Sequence, residues 1–369
     1  MRLLFTGNID NIAYSCAKFS RWLGFDADVL VSSVEQDISH PFWEDGEEVA
    51  APIMRNFERR KGLLLPLSLL DLRRVFKEYD VVVAMGLMSI PAHFLAPSYV
   101  SIALGADMKE LVFEKSLKGR LMDRAFRGAN VLFYNDVDHL PAVAEKGYDQ
   151  ALYFPVPIDT EKYRPDDRAR SNGEMLLIHG SSLSWSLDWT QDKELHRRTL
   201  KRNDLFFEAL KIFLDANSGF PLKVVVPLWG PDKDKVAPLC EKLGIRSAVK
   251  LVPKVTKGEL LDLYHRADVV VDQFNMPRLG YNAFEAMACG RPVLGYFSEA
   301  LQGQLYAELP PMSSAGSAAE IALCLEDLAT PQSRERMGAA ARTWVVKYHH
   351  WKPVMENLLS HCETARMRA

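Results

Sequence analysis

The segment with the most chemistry in its residue types is Asp272-Gln-Phe-Asn-Met-Pro-Arg-Leu-Gly280-Tyr-Asn-Ala-Phe-Glu285-Ala-Met-Ala-Cys-Gly290-Arg-Pro-Val-Leu294. Its pattern is that of a strand ending at Asp272, a loop closing on Gly280, a helix starting near Tyr281 or Asn282, and a stop at Gly290. The start of such a helix presents backbone N–H groups that have no intrahelical partner. Together with the helix dipole they stabilise a diphosphate, and Gly280 is expected to let the phosphate approach closely. Glu285 falls in the first turn or so, where a carboxylate facing a ligand accepts two sugar hydroxyls and would fix a ribose or a hexose. The same carboxylate could equally do no more than complement the helix dipole on a solvated face.

A second polar stretch lies near the amino terminus, in Gly7-Asn-Ile-Asp-Asn11-Ile-Ala-Tyr14. Asn8, Asp10 and Asn11 suit the hydroxyls of a second ligand or, with equal weight, the capping of the next helix. His40, in Ser39-His-Pro-Phe-Trp43, is a further candidate, although a lone histidine is more often structural.

Positioning these groups is the task of an alternating pattern. Short β-branched runs at 3–6, 27–31, 81–85, 99–104, 131–134 and 151–154 enclose amphipathic stretches at 14–23 and 111–127. Strand, helix, strand in this order predicts a parallel sheet with right-handed crossovers. The stretch from Pro155 to Gly173, rich in Pro, Asp, Arg and Asn and without apolar periodicity, reads as a linker. The pattern then restarts, with strands at 175–179, 222–227, 248–252, 269–272 and 292–295 and helices at 204–217, 236–243, 257–266 and 283–289. The fold class is therefore α/β, with two Rossmann-like doubly wound domains facing across a cleft and ligands at the carboxyl edges of their strands. The expected domains are 1–165 and 166–340. From Ala341 onward, Trp344, Val345, Tyr348, Trp351, Met355 and Leu358 share one face of a long terminal helix over 341–369 that completes the first domain.

Composition narrows the function classes. With 369 residues the chain exceeds the roughly 250 to 300 at which one core stops growing, so two domains are expected. A formal net charge of -3 leaves no overall positive field for a nucleic-acid backbone, and nucleic acid is not an expected partner. The five cysteines are scattered, with no metal-ligand spacing, which predicts reduced thiols and a cytoplasmic location. The apolar run at the start is too short for a secretory signal. Residues 81–106 carry no carboxylate, lysine or arginine and are long enough to span a bilayer, but Gly86, Pro91 and Pro97 divide them. Two buried parallel strands around a crossover helix account for the same apolarity.

The string Phe284-Glu-Ala-Met-Ala-Cys-Gly-Arg-Pro-Val-Leu294 resembles the hallmark segment of retaining GT-B glycosyltransferases, family 4-like or group 1. In that family a Glu-Ala-Met-Ala-x-Gly-x-Pro-Val run follows the donor-binding glycine loop. The resemblance implies transfer of a sugar from a nucleotide-sugar, UDP- or GDP-linked, to a glycan, lipid-linked or small-molecule acceptor, without a metal. It implies that Glu285 holds the donor ribose, with Arg278, Leu279, Gly280, Tyr281 and Asn282 lining the donor site. The family's E-x7-E pattern would place an acid at 277, where this chain has Pro277; Asp272 is the nearest acid upstream. The strand before His179, Gly180 and Ser181 resembles the first strand of the family's donor domain. Lys201 and Asp204 align with its Lys-Gly-x-Asp helix start, Arg202 standing in the place of the glycine. Lys201, assisted by Arg197, Arg198 and Arg202, is then the cation opposing the departing diphosphate; a solvated basic run is the alternative. Lys250-Leu-Val-Pro253-Lys-Val255 resembles the stretch that holds the nucleobase, through Pro253 and Val255. Ala103-Leu-Gly105-Ala-Asp107 is similar to the family's His-Gly-x-Asp turn, with Leu104 in the histidine's place and Asp107 left as a catalytic candidate beside Lys201 and Glu285. Asn8, Asp10, Asn11 and His40 fall on the acceptor side.

Two rivals share this architecture: a nucleotide-sugar epimerase or hydrolase, and a binding protein in which Pro277 and Leu104 mark the loss of transfer chemistry. One surface feature stands apart. Arg55, Arg59, Arg60 and Lys61 precede Leu63-Leu-Leu-Pro-Leu-Ser-Leu-Leu70, with Arg73 and Arg74 beyond. The pattern suits peripheral contact with an anionic membrane, and a buried helix flanked by solvated charges is the competing explanation.

Overall fold

A computed structural model describes residues 1–32, 39–58, 65–166, 173–191 and 193–367. The chain forms two compact units, one of residues 1–157 with 350–369 and the other of residues 158–349.

In the first unit β1 (Arg2–Thr6), β2 (Asp26–Ser32), β3 (Met54–Phe57), β4 (Val81–Met85), β5 (Tyr99–Ala103), β6 (Val131–Tyr134) and β7 (Leu152–Tyr153) make one parallel sheet in the order β3-β2-β1-β4-β5-β6-β7. Every residue of β4 and β5 is buried, as expected of strands covered on both faces. Around them lie α1 (Ile12–Trp22), α2 (Leu65–Phe76), α3 (Ser89–Leu95), α4 (Leu117–Gly128) and α5 (Leu140–Lys146). Residues 81–106 are thus β4, α3 and β5, and among the described residues no helix is long and apolar enough to cross a membrane. The expected helix over 111–127 is divided: a short turn at Leu111–Phe113 precedes α4, because the Ser116 hydroxyl accepts from Gly119 N and starts a new helix.

In the second unit β8 (Met175–His179), β9 (Leu222–Leu228), β10 (Val249–Pro253), β11 (Val269–Val271), β12 (Val293–Gly295) and β13 (Ser313–Ser314) form a parallel sheet in the order β10-β9-β8-β11-β12-β13. Its helices are α6 (Asp204–Ala216), α7 (Val236–Leu243), α8 (Lys257–Arg266), α9 (Tyr281–Ala288), α10 (Glu299–Leu305), α11 (Ala318–Leu328) and α12 (Pro331–His349). Phe206, Phe207, Leu210 and Phe213 of α6 pack with Val224, Val226, Ile321 and Leu325 in one buried cluster. Removing such a ring from a core costs about 3–5 kcal/mol. In each unit the strand order reverses beside the first strand, between β1 and β4 and between β8 and β11, which is where loops diverge and leave room for a ligand.

The long terminal helix expected over 341–369 is two helices, α12 and α13 (Trp351–Met367), and only the second belongs with the first unit. Pro353 supplies the reason. It has no N–H for the carbonyl of His349, four residues back, and that carbonyl accepts from Ile158 N at 2.8 Å instead. The expected linker is also partly ordered: Val156, Ile158, Asp159, Thr160 and Tyr163 are buried, and Arg342 donates to the carbonyls of Thr160 and Tyr163. The remainder, residues 167–172, lies outside the described residues.

Candidate functional site

At the carboxyl edge of the second sheet, β11 runs into a loop organised by two adjacent side chains. Asp272 is buried and its Oδ2 accepts from Gly280 N at 2.7 Å. Burial raises its pKa, while the charges of Lys201 and Arg278 and the Gly280 amide oppose the shift. Gln273 is fully buried. Its Nε2 donates to the carbonyls of Met276, Arg278 and Tyr296 at 2.7–3.0 Å, and its Oε1 accepts from Asn275 N and Met276 N. A Cβ at position 280 would lie 2.5 Å from Asp272 Oδ1, with φ of Gly280 at an ordinary −78°. The tight approach expected of a phosphate at Gly280 is therefore made by the protein's own carboxylate. Gly280 is the N-cap of α9, and no side chain caps that helix.

Five residues into α9's segment, Glu285 is 4% exposed. Its Oε1 accepts from Lys257 Nζ at 2.5 Å and its Oε2 from the Tyr264 hydroxyl at 3.5 Å. The carboxylate points inward onto α8, so the alternative of a solvated dipole-complementing group does not describe it. Asn282 Nδ2 and Trp229 Nε1 both donate to the carbonyl of Gly180, which follows β8. Loops from β8, β9 and β11 and the start of α8 are thereby gathered at the point where the strand order reverses.

The basic segment before α6 is held to the same edge. Lys201 N and Arg202 N donate to the Ser184 carbonyl, and Lys201 O accepts from Phe274 N. Arg202 has a left-handed φ of 54°, a conformation that suits the glycine found there in the resembling family, and its guanidinium forks onto Asp204. Arg202 is thus engaged with its neighbour, and Arg197, the last residue of the one-turn helix Lys193–Arg197, and Arg198 just beyond it are exposed. The long loop between is pinned by Asn203, which accepts from Ser184 N, and by buried Asp232, which accepts from Trp185 N, Ser186 N and the Ser186 hydroxyl.

Not every candidate faces solvent. His179 is wholly buried, stacked on Phe207 and bonded to Asn203, and burial lowers its pKa to about 4, so it is a neutral core side chain. Ser181 and Leu279 are buried as well, whereas Pro253 is exposed and Val255 half-buried. Lys257, Tyr264 and Gln273 were not legible as site residues. Lys257 directly follows Thr256, whose hydroxyl and Glu259 form a capping box, and that motif was the one signal available.

In the first unit the polar candidates serve the backbone. Asn8 accepts from Tyr14 N and donates to Asn11 Oδ1 and the Ser39 carbonyl. Asn11 is buried in a left-handed conformation and makes no side-chain cap to α1. Asp10 is exposed, its amide donating to the Ser39 hydroxyl. His40 Nδ1 accepts from Phe42 N. Asp107 is buried, its carboxylate accepting from the amides of Leu104 and Gly105, with a pKa raised by burial against those bonds. Among the described residues no three His, Cys, Asp or Glu side chains are grouped so as to hold a metal ion.

The two parallel sheets define the GT-B class of α/β proteins. HepE from Anabaena, solved in complex with UDP and glucose, matches with a TM-score of 0.71 at 16% identity over 98% of each chain. Sucrose-phosphate synthase from Thermosynechococcus elongatus matches with a TM-score of 0.73 at 15% identity over 100% of both. Within that class, residues 198–360 match the family described as glycosyl transferase-like, so the resemblance carried by Phe284 to Leu294 lies inside a glycosyl transferase-like domain. D-inositol 3-phosphate glycosyltransferase 1 from Catenulispora acidiphila is 29% identical over 175 residues, 42% of this chain and 40% of that protein. The chain spans 30–40% of the length of these curated relatives.

Proposed function

We propose that this protein is a glycosyltransferase that moves a sugar from a nucleotide-sugar to a glycan, lipid-linked or small-molecule acceptor, with retention of configuration. The observation that carries the reading is the inward-facing Glu285 carboxylate, set behind the side-chain-uncapped start of α9 at the strand-order reversal. In this reading the amides opening α9 and the Lys201 ammonium meet the diphosphate and stabilise its charge as it departs. Arg278, which bears electrostatically on Asp272, adds to the positive field. These cations take the place of a divalent metal. Glu285 accepts ribose hydroxyls, and the segment from Pro253 to Val255 holds the base. Residues 158–349 are the donor unit and residues 1–157 with 350–369 the acceptor unit. That HepE was solved with UDP and glucose favours a uridine diphosphate donor. A cytoplasmic location accords with five free cysteines.

A thermal-shift series on the full chain with UDP, GDP, ADP and their sugars tests the donor assignment. One nucleotide at a hundred times its Kd is expected to stabilise the protein by about 2.7 kcal/mol, and melting unchanged by every member would remove the reading. Turnover of the donor without an acceptor would favour the epimerase or hydrolase instead.

The proposal extends to a peripheral contact with anionic lipid through α2, where Leu67, Leu69 and Leu70 are 43%, 42% and 52% exposed and Arg73 and Arg74 follow on the outside. Arg59, Arg60 and Lys61 lie outside the described residues. Cosedimentation with phosphatidylglycerol vesicles but not phosphatidylcholine vesicles is expected, and equal behaviour with both would discard the contact.

A further inference from the structure

We infer that Arg342 is a positioning residue for donor binding: it fastens the first chain crossing to the far end of α9, so that a nucleotide ordering the start of α9 also orders the crossing. The inference rests on the assignment of α9 as the donor helix and adds to it a residue and a segment that the donor site does not include.

The chain passes between the two units twice, between Pro157 and Ile158 and again between His349 and His350. Both passages are built onto α9. Arg342, on α12, donates from Nη1 to the carbonyls of Tyr163 at 2.8 Å and Ala288 at 2.7 Å, and from Nη2 to the carbonyl of Thr160 at 3.0 Å. Ala288 is the last residue of α9. Of the last four carbonyls of that helix, those of Glu285, Ala286 and Met287 accept from the backbone amides of Cys289, Arg291 and Gly290, and the fourth, Ala288, accepts from Arg342. The approach of α12 depends on Gly338, since a Cβ at that position would collide with the Gly290 carbonyl. The second passage is reached through Phe284, whose ring centroid lies 4.3 Å from that of His349, and the His349 carbonyl accepts from Ile158 N at 2.8 Å. One eight-residue helix therefore joins the proposed diphosphate position to both crossings.

The chemistry of the clamp decides what it can transmit. A guanidinium is a planar, permanently charged fork of donors, so three carbonyls bound to one such group keep fixed places relative to each other. Its charge also complements the carboxyl end of the α9 dipole, opposite the end proposed to meet the phosphates. On the crossing side, Thr160 and Tyr163 are buried, and the amides of Lys162 and Tyr163 bond back to Asp159. Residues 159–163 thus form a closed turn that Arg342 grips at two points. Two segments held by one rigid group share their opening, and whatever slows the opening of α9 slows that of the crossing.

Hydrogen exchange by mass spectrometry on the full chain, without ligand and with UDP, GDP or ADP in excess, tests the clamp. With the nucleotide that gives the largest thermal shift, wild type is expected to exchange about tenfold more slowly at residues 281–291 and at residues 158–163 together. Arg342→Met should keep the slowing at 281–291 and lose it at 158–163, and Arg342→Lys, which keeps the charge without the fork, should recover part of it. A purely structural clamp would instead let Arg342→Met speed exchange at 158–163 and leave the response to nucleotide as in wild type, and that result overturns the inference. If Arg342→Met does not fold by circular dichroism, Arg342→Gln carries the same comparison. Wild type slowed at 281–291 but not at 158–163 also overturns the inference, and leaves the donor assignment standing. Residues 281–291 unchanged by all three nucleotides overturn the donor assignment itself, and the role of Arg342 with it.

Discussion

The carboxyl edges of the two sheets are built from similar residue types and use them in opposite ways. At the edge of residues 1–157 the polar side chains mainly serve backbone groups: Asn8 the Tyr14 amide and the Ser39 carbonyl, with Asn11 Oδ1 besides, and Asp107 the amides of Leu104 and Gly105. At the edge of residues 158–349 the charges bridge separate elements, Lys257 to Glu285 across 28 positions, beside a helix start that no side chain caps. A side chain bonded to backbone groups shapes a loop and leaves little for a ligand. An ion pair between two helices holds a charge at that edge. The difference teaches that a polar residue near a strand end reads as scaffold where its partners are mainly backbone groups, as those of Asn8 and Asp107 are.

Acid gives the largest expected contrast between the two halves. His179 is held neutral with a pKa near 4 against 6.5 for the free side chain, so the unfolded chain binds the extra proton between those values. Stability of the second unit should therefore be full above about pH 6.5 and fall by roughly 3 kcal/mol as pH drops to 4. Hydrogen exchange should show protection lost within residues 158–349, and a His179→Leu variant should flatten that dependence; an unchanged acid profile in the variant would break the assignment. Next in size, Glu285→Gln should lower donor affinity by about a hundredfold, roughly 2.7 kcal/mol, while Asn8→Ala should leave donor affinity alone and cost about 2 kcal/mol of stability in urea. The comparison fails if the two variants exchange effects, Asn8→Ala losing ligand and Glu285→Gln losing only stability.

Much of the fold was legible because buried parallel strands announce themselves. The runs at 81–85, 131–134 and 175–179 and the helices at 236–243 and 257–266 coincide with β4, β6, β8, α7 and α8. The strand β3, Met-Arg-Asn-Phe, was not legible: it lies at the sheet edge with half its residues exposed and has no apolar run. The helix α11 carried a signal that went unread, the Ser317–Glu320 capping box. The division of the tail was written in Pro353, four residues beyond His349, yet the shared apolar face of 344–358 outweighed it. At the site, the order of residues locates Gly280 and Glu285 because they share one short string. Gln273 and Lys257 were hidden, since what they do depends on partners brought near only by the sheet.

Gln273 has an outcome that reaches past the geometry of a loop. One carboxamide fastens residues 275, 276, 278 and 296 at once, from a position sealed against solvent. A tether of this kind does not fray strand by strand. The segment approaching α9 is thereby tied to the backbone after β12 through one buried amide, so its placement hangs on a single side chain.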